Sequence, residues 1–163
     1  MNILGPKQIQ ATDPFSLVEA ALKQAKQFKK DFGFEYTEIW CVFDRDQHTI
    51  FSDAQILAKK HKVKIAYSIP CFELWVILHY QEQNAEIDPR KLISSLKHKC
   101  GLDDYDKNGS ALFKVLEENR EIATIRAKAL RRRHEKDDRP PWTNPSTNMD
   151  ELMERLYKLF EKN

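Results

Sequence analysis

The stretch Glu38-Ile39-Trp40-Cys41-Val42-Phe43-Asp44-Arg45-Asp46 constrains this chain more than any other. Its apolar run, Ile39 to Phe43, is rich in aromatic and β-branched residues and reads as a strand buried on both faces. Such strands belong to parallel sheets covered by helices, where ligands gather outside the carboxyl ends of the strands. The run stops on two aspartates one residue apart. Side chains at i and i+2 of extended backbone share a direction, so Asp44 and Asp46 face one crevice. Adjacent carboxylates suit a hard divalent cation. The plainer alternative is a solvated turn, with Asp46 capping whatever follows.

The elements around this strand follow from periodicity and caps. Asp13-Pro14 is a helix opening, and behind it Phe15, Val18, Leu22, Ala25, Phe28 and Phe32 recur at helical spacing until Gly33 stops the helix. A short helix over Phe51 to Lys60, with Ala54, Leu57 and Ala58 inward, leads to a second strand, Val63 to Tyr67. Strand, helix and strand in this order make a βαβ unit, expected to be parallel and right-handed. Pro70 opens a helix from Cys71 to Tyr80 that is apolar nearly all round and therefore buried.

The second half changes character. Asp88-Pro89 opens a helix with Leu92, Ile93 and Leu96 inward and Gly101 as its stop. A long amphipathic helix from about Ser110 to His134 carries the stripe Leu112, Val115, Leu116, Ile122, Ile125 and Ala129. A polar loop through Asn144-Pro145-Ser146-Thr147 precedes a last helix, Met149 to Phe160, with Leu152, Leu156, Leu159 and Phe160 inward and Asn148 as its N-cap. No strand is expected after Ser68. The predicted fold is α/β: a mostly parallel sheet in residues 1–80, flanked by helices, and a helical extension in residues 81–163 packed on it.

Composition narrows the function. With 27 Lys and Arg against 25 Asp and Glu, the net charge is only +2, so affinity for nucleic acid must come from local clusters. No apolar run approaches the roughly 20 residues of a bilayer crossing, and Met1-Asn2-Ile3-Leu4 runs into Gly5-Pro6 without a signal-like apolar segment. A cytoplasmic protein without membrane attachment is expected. Cys41, Cys71 and Cys100 have neither zinc spacing nor an even count and read as core thiols. Four glycines and no phosphate-loop motif argue against a nucleotide cradle.

Other residues carry chemistry or a simpler role. Glu73, in the first turn of the helix after the second strand, can approach the Asp44 crevice or merely complement the helix dipole. His48, directly after Asp46, suits proton transfer near neutral pH, whereas His79 on an apolar helix reads as a satisfied core histidine. The cluster Arg126, Lys128, Arg131, Arg132, Arg133 and His134 offsets the carbonyl end of its helix. Three consecutive arginines exceed what that requires and suit phosphates.

These segments resemble the RloB-like family. The resemblance is carried by Ile39-Trp40-Cys41-Val42-Phe43-Asp44-Arg45-Asp46, by Ile65 to Ser68 with Pro70-Cys71-Phe72-Glu73-Leu74-Trp75 and Leu78-His79-Tyr80, and by Asn144-Pro145-Ser146-Thr147. Members look like Toprim-fold proteins encoded near bacterial restriction loci, often beside a partner ATPase. The resemblance implies a Toprim sheet in which Asp44 and Asp46 hold Mg²⁺ for work on a phosphodiester, in defence against phage. The chain departs from the pattern at its front. Toprim proteins carry a glutamate at the end of a first strand, and Met1 to Thr12 contains no Asp or Glu. Either the chain is shortened there or that residue is lost, with Glu38 and Glu73 the nearest substitutes. A missing strand would leave a sheet edge open, which a homodimer can cover.

Three functions follow as expectations. The first is a Mg²⁺-dependent nuclease acting on DNA or RNA, with Asp44 and Asp46 on metal, Glu73 and His48 assisting, and Arg45, Arg131, Arg132 and Arg133 on phosphates. The second is a non-catalytic regulatory or binding module that works with an ATPase. The third, a small-molecule phosphatase or nucleotidyl enzyme, uses the same acidic pair.

Overall fold

The computed structural model describes residues 11, 13–44, 51–103, 105, 112 and 116–161. In chain order the elements are α1 (Pro14–Phe32), β1 (Trp40–Asp44), α2 (Phe51–Lys60), β2 (Lys64–Ile69), α3 (Glu73–Leu78), α4 (Pro89–Lys99), α5 (Arg120–Lys136), β3 (Ser146–Thr147) and α6 (Met149–Phe160). They form two compact units, Met1–Ala66 and Tyr67–Asn163, with the division inside β2.

In the first unit Asp13 caps α1 through a reciprocal box with Ser16: the Asp13 carboxylate accepts from the Ser16 N–H at 2.9 Å. Gly33, at φ 79°, ends the helix by donating its N–H to Lys29 O at 2.8 Å. Val18, Cys41, Ala54, Ala58 and Val63 make the core, with Phe15, Leu22, Ile39 and Phe43 packed against it. The α2 end needs no glycine. Lys62 takes φ 58° there, and Val63 donates its N–H to Ala58 O at 2.9 Å. Two expectations fail in this unit. Val42 is 48% exposed and Phe32 is 62% exposed, so β1 is covered on one face and α1 loses its apolar face at the last turn. There Phe28 stacks on Tyr36, with Phe32 and Phe34 around it.

In the second unit α3 is buried from Glu73 through Leu78, as its all-round apolar sequence requires. Leu92, Leu96, Ala123, Ala127 and Leu130 complete the core of this unit. The expected absence of a strand after Ser68 is overturned. β3 pairs antiparallel with β2, Ser68 opposite Thr147 and Ile69 opposite Ser146. The α/β class holds, but the sheet, in order β1-β2-β3, is small and mixed rather than mostly parallel.

The predicted stripe of the long helix is also corrected. Ile122, Ile125 and Ala129 face solvent, while Ala123, Ala127, Leu130 and His134 are buried. The inward face is the one whose small alanines permit close packing at i and i+4. On α6, Leu159 and Phe160 are exposed rather than inward, because the buried part of that helix is its first turn.

Candidate functional site

β1 ends at Asp44, whose half-buried side chain engages other groups of the protein. Asp46, His48 and Arg45 lie outside the described residues. Among the described residues no three His, Cys, Asp or Glu side chains gather as a metal group.

In the second unit Glu73 opens α3 and is 7% exposed. Its carboxylate accepts a hydrogen bond from the Tyr105 hydroxyl at 3.1 Å. Such a bond orients the carboxylate and offsets part of its desolvation. His79 is a core histidine. Its Nδ1 donates to Trp75 O at 2.8 Å, and burial holds its pKa below the ordinary value.

The arginine-rich helix resolves into separate roles. Arg126 donates to Leu78 O at 2.7 Å, and Lys128 pairs with Glu154 at 2.7 Å. Arg131 grips the fully buried Asp150 with both guanidinium nitrogens, at 2.6 and 2.8 Å, and also donates to Thr147 O. Burial works against its charge, but the bonds and charge of Asp150 outweigh this and hold the guanidinium above its usual pKa. His134 is buried, with Nε2 2.8 Å from Pro145 O. Arg132 and Arg133 remain exposed.

The polar segment after this helix is a hub. Thr147 Oγ1 donates to Tyr67 O at 2.8 Å and lies 2.9 Å from Ser68 Oγ. Asn148 Oδ1 accepts from the Tyr67 N–H at 2.7 Å, while the Asn148 N–H donates back to Tyr67 O at 3.2 Å. Asn144 exchanges amide hydrogen bonds with the backbone of Ile87. Asn148 is the N-cap of α6 by position, but it makes no side-chain cap. Its amide extends the β2–β3 ladder instead.

Sequence reasoning missed an open cleft of about 780 Å³, lined by Lys128, Arg131, Arg132, Glu135, Asp138 and Arg139 together with two prolines. A Schellman turn builds its lip: Arg139 donates its N–H to His134 O at 2.8 Å and Asp138 to Glu135 O at 3.1 Å, with Asp138 at φ 53°. The only sequence trace was Pro140 just beyond a helix end.

Over residues 2–156 the chain matches the model of the RloB-like protein family. It belongs to that family. No curated protein and no solved structure gives a significant match. For this RloB-like chain the match takes in Asp44 and Asp46 as well as the Asn144–Thr147 hub. No helix among the described residues is long and apolar enough to cross a membrane.

Proposed function

We propose that this RloB-like chain is a Mg²⁺-dependent nuclease of Toprim type that cuts nucleic acid in anti-phage defence. The observation that carries the reading is Asp44 at the carboxyl end of β1, where open α/β sheets place their ligands. Mg²⁺ commonly takes one or two carboxylates and fills its other positions with water and substrate phosphates. Asp44 fits that donor chemistry, with Asp46 as the second carboxylate. When bound, the ion supplies charge stabilisation to phosphate oxygens. Glu73 assists, held by Tyr105, and His48 carries a proton. Arg45, Arg132 and Arg133 meet phosphates. Arg131, already committed to Asp150, positions rather than touches the substrate.

Labelled single- and double-stranded DNA and RNA incubated with Mg²⁺ or Mn²⁺ test this directly. Cleavage is expected with the native chain and is lost in the Asp44→Ala, Asp46→Ala double variant. Cleavage that survives this variant, or its absence with every divalent ion and substrate, rejects the reading.

A second reading is a regulatory module that acts only with a partner ATPase. It predicts inactivity alone and activity in a co-purified complex. Turnover by the isolated chain excludes it.

A further inference from the structure

We infer that the cleft at the end of α5 binds single-stranded nucleic acid, Arg132 and Arg139 holding phosphates while Glu135 and Asp138 read base edges. The inference rests on the nucleic-acid reading above and adds the form of the strand and the residues that select it.

Not all of the charges around the cleft are available. Lys128 is neutralised by Glu154, and Arg131 by Asp150. Arg132 and Arg139 have no ion pair or side-chain hydrogen bond with any described residue, and neither do Glu135 and Asp138. The cleft therefore presents two uncommitted guanidinium groups beside two uncommitted carboxylates. Such an arrangement is wrong for the continuous phosphate surface of a duplex, since the carboxylates would meet like charge. It is also wrong for a bare anion, which two arginines alone would serve better.

A single strand offers both kinds of partner. Its phosphates suit the planar fork of arginine. Its unpaired bases expose N–H donors that a duplex hides in Watson–Crick pairs. Guanine presents a ring N–H and an exocyclic amine side by side, a match for the two oxygens of one carboxylate. Cytosine and adenine present an amine without the ring N–H, and uracil a ring N–H without the amine. Guanine is thus the favoured base. A space of about 780 Å³ accommodates a few nucleotides and not a double helix.

The turn geometry places the four groups together. Arg132 and Glu135 stand about one turn apart on α5. The Schellman turn then reverses the chain so that Asp138 and Arg139 return to the same cleft. Arg133, between Arg132 and the buried His134, is not part of the lining.

Fluorescence anisotropy of the full chain tests this, with labelled oligonucleotides in EDTA so that no metal chemistry intervenes. The native chain is expected to bind a guanine-containing single strand more tightly than oligo-U and than a duplex of equal length. Arg132→Ala with Arg139→Ala should weaken binding at least tenfold. It should also lower the salt slope by roughly 1.4, about 0.7 for each single-strand phosphate no longer neutralised. Glu135→Gln with Asp138→Asn should leave that slope in place and erase the preference for guanine over uracil. Lys136→Ala, which removes an exposed cation on α5 outside the lining, should change little. Native affinity in the double-arginine variant, tighter binding of duplex, or an equal weakening in Lys136→Ala overturns the inference. A guanine preference that survives the Gln/Asn variant overturns base reading. Strand binding without any Mg²⁺-dependent cleavage leaves this inference standing and removes the nuclease reading alone.

Discussion

Both guanidinium nitrogens of Arg131 meet the carboxylate of Asp150, at 2.6 and 2.8 Å, and Asp150 is wholly shielded from solvent. A buried carboxylate in this position depends on its partner. Removing one member leaves an uncompensated charge, which costs about 3–5 kcal/mol, and Arg131→Ala also takes a donor from Thr147 O. Urea denaturation of Arg131→Ala should show a loss of that order. Arg131→Met combined with Asp150→Leu should recover most of it, because well-packed apolar replacements of buried pairs are often neutral. A single variant within about 1 kcal/mol of native would show that the pair is not the anchor of the α5–α6 junction.

That junction marks the limit of what the sequence discloses. The Asp13-Pro14 and Asp88-Pro89 caps, the Gly33 stop, β1, α2 and β2 were all legible, because each is written in a few neighbouring residues. β3 was not. It has two residues, and its partners Ser68 and Ile69 stand nearly eighty positions earlier, so no local period signals it. The α5 stripe misled because large isoleucines look like core, whereas Ala123 and Ala127 are the residues that allow close approach. Within the arginine cluster, sequence showed charge but not which charges were already paired. Arg131 is bound to Asp150, a partner that no spacing rule suggests.

His79 gives a pH dependence with a definite sign. Burial holds its pKa below the ordinary 6.5, with Arg126 adding to the effect. The unfolded chain therefore takes up a proton on His79 first as pH falls. Stability from the neutral, buried ring is complete above about pH 6.5 and is lost as pH drops towards the lower folded value. His79→Asn keeps a donor near Trp75 O but cannot titrate. Between pH 7 and pH 5 the native chain should lose more stability than this variant, as read by denaturation midpoints. Parallel losses would mean that other groups set the acid response.

Lys62 closes α2 at φ 58°, in the left-handed region that costs an L-residue about 1–2 kcal/mol. Its side chain is exposed, so replacement leaves the core untouched. Lys62→Gly should stabilise the first unit, by about 1 kcal/mol after allowing for the greater freedom of glycine in the unfolded chain. Lys62→Val should destabilise it, since β-branching is least compatible with that backbone. Thermal melting of the two variants should move in opposite directions; a common direction would contradict the conformational explanation.

Glu73 separates a chemical role from a structural one. Its carboxylate is buried and accepts from Tyr105. Tyr105→Phe removes the donor but leaves the charge in place, and Glu73→Gln removes the charge but leaves an acceptor for Tyr105. A charge-assisted hydrogen bond contributes about 1.5–3 kcal/mol, so both variants should be destabilised by a similar, moderate amount. Their activities should diverge. If Glu73 assists the proposed phosphodiester chemistry, Glu73→Gln loses at least a hundredfold in kcat, and Tyr105→Phe loses about tenfold through poorer orientation. Single-turnover cleavage below the melting range of either variant distinguishes these outcomes. Equal activity losses that track stability would reduce Glu73 to a support for the start of α3.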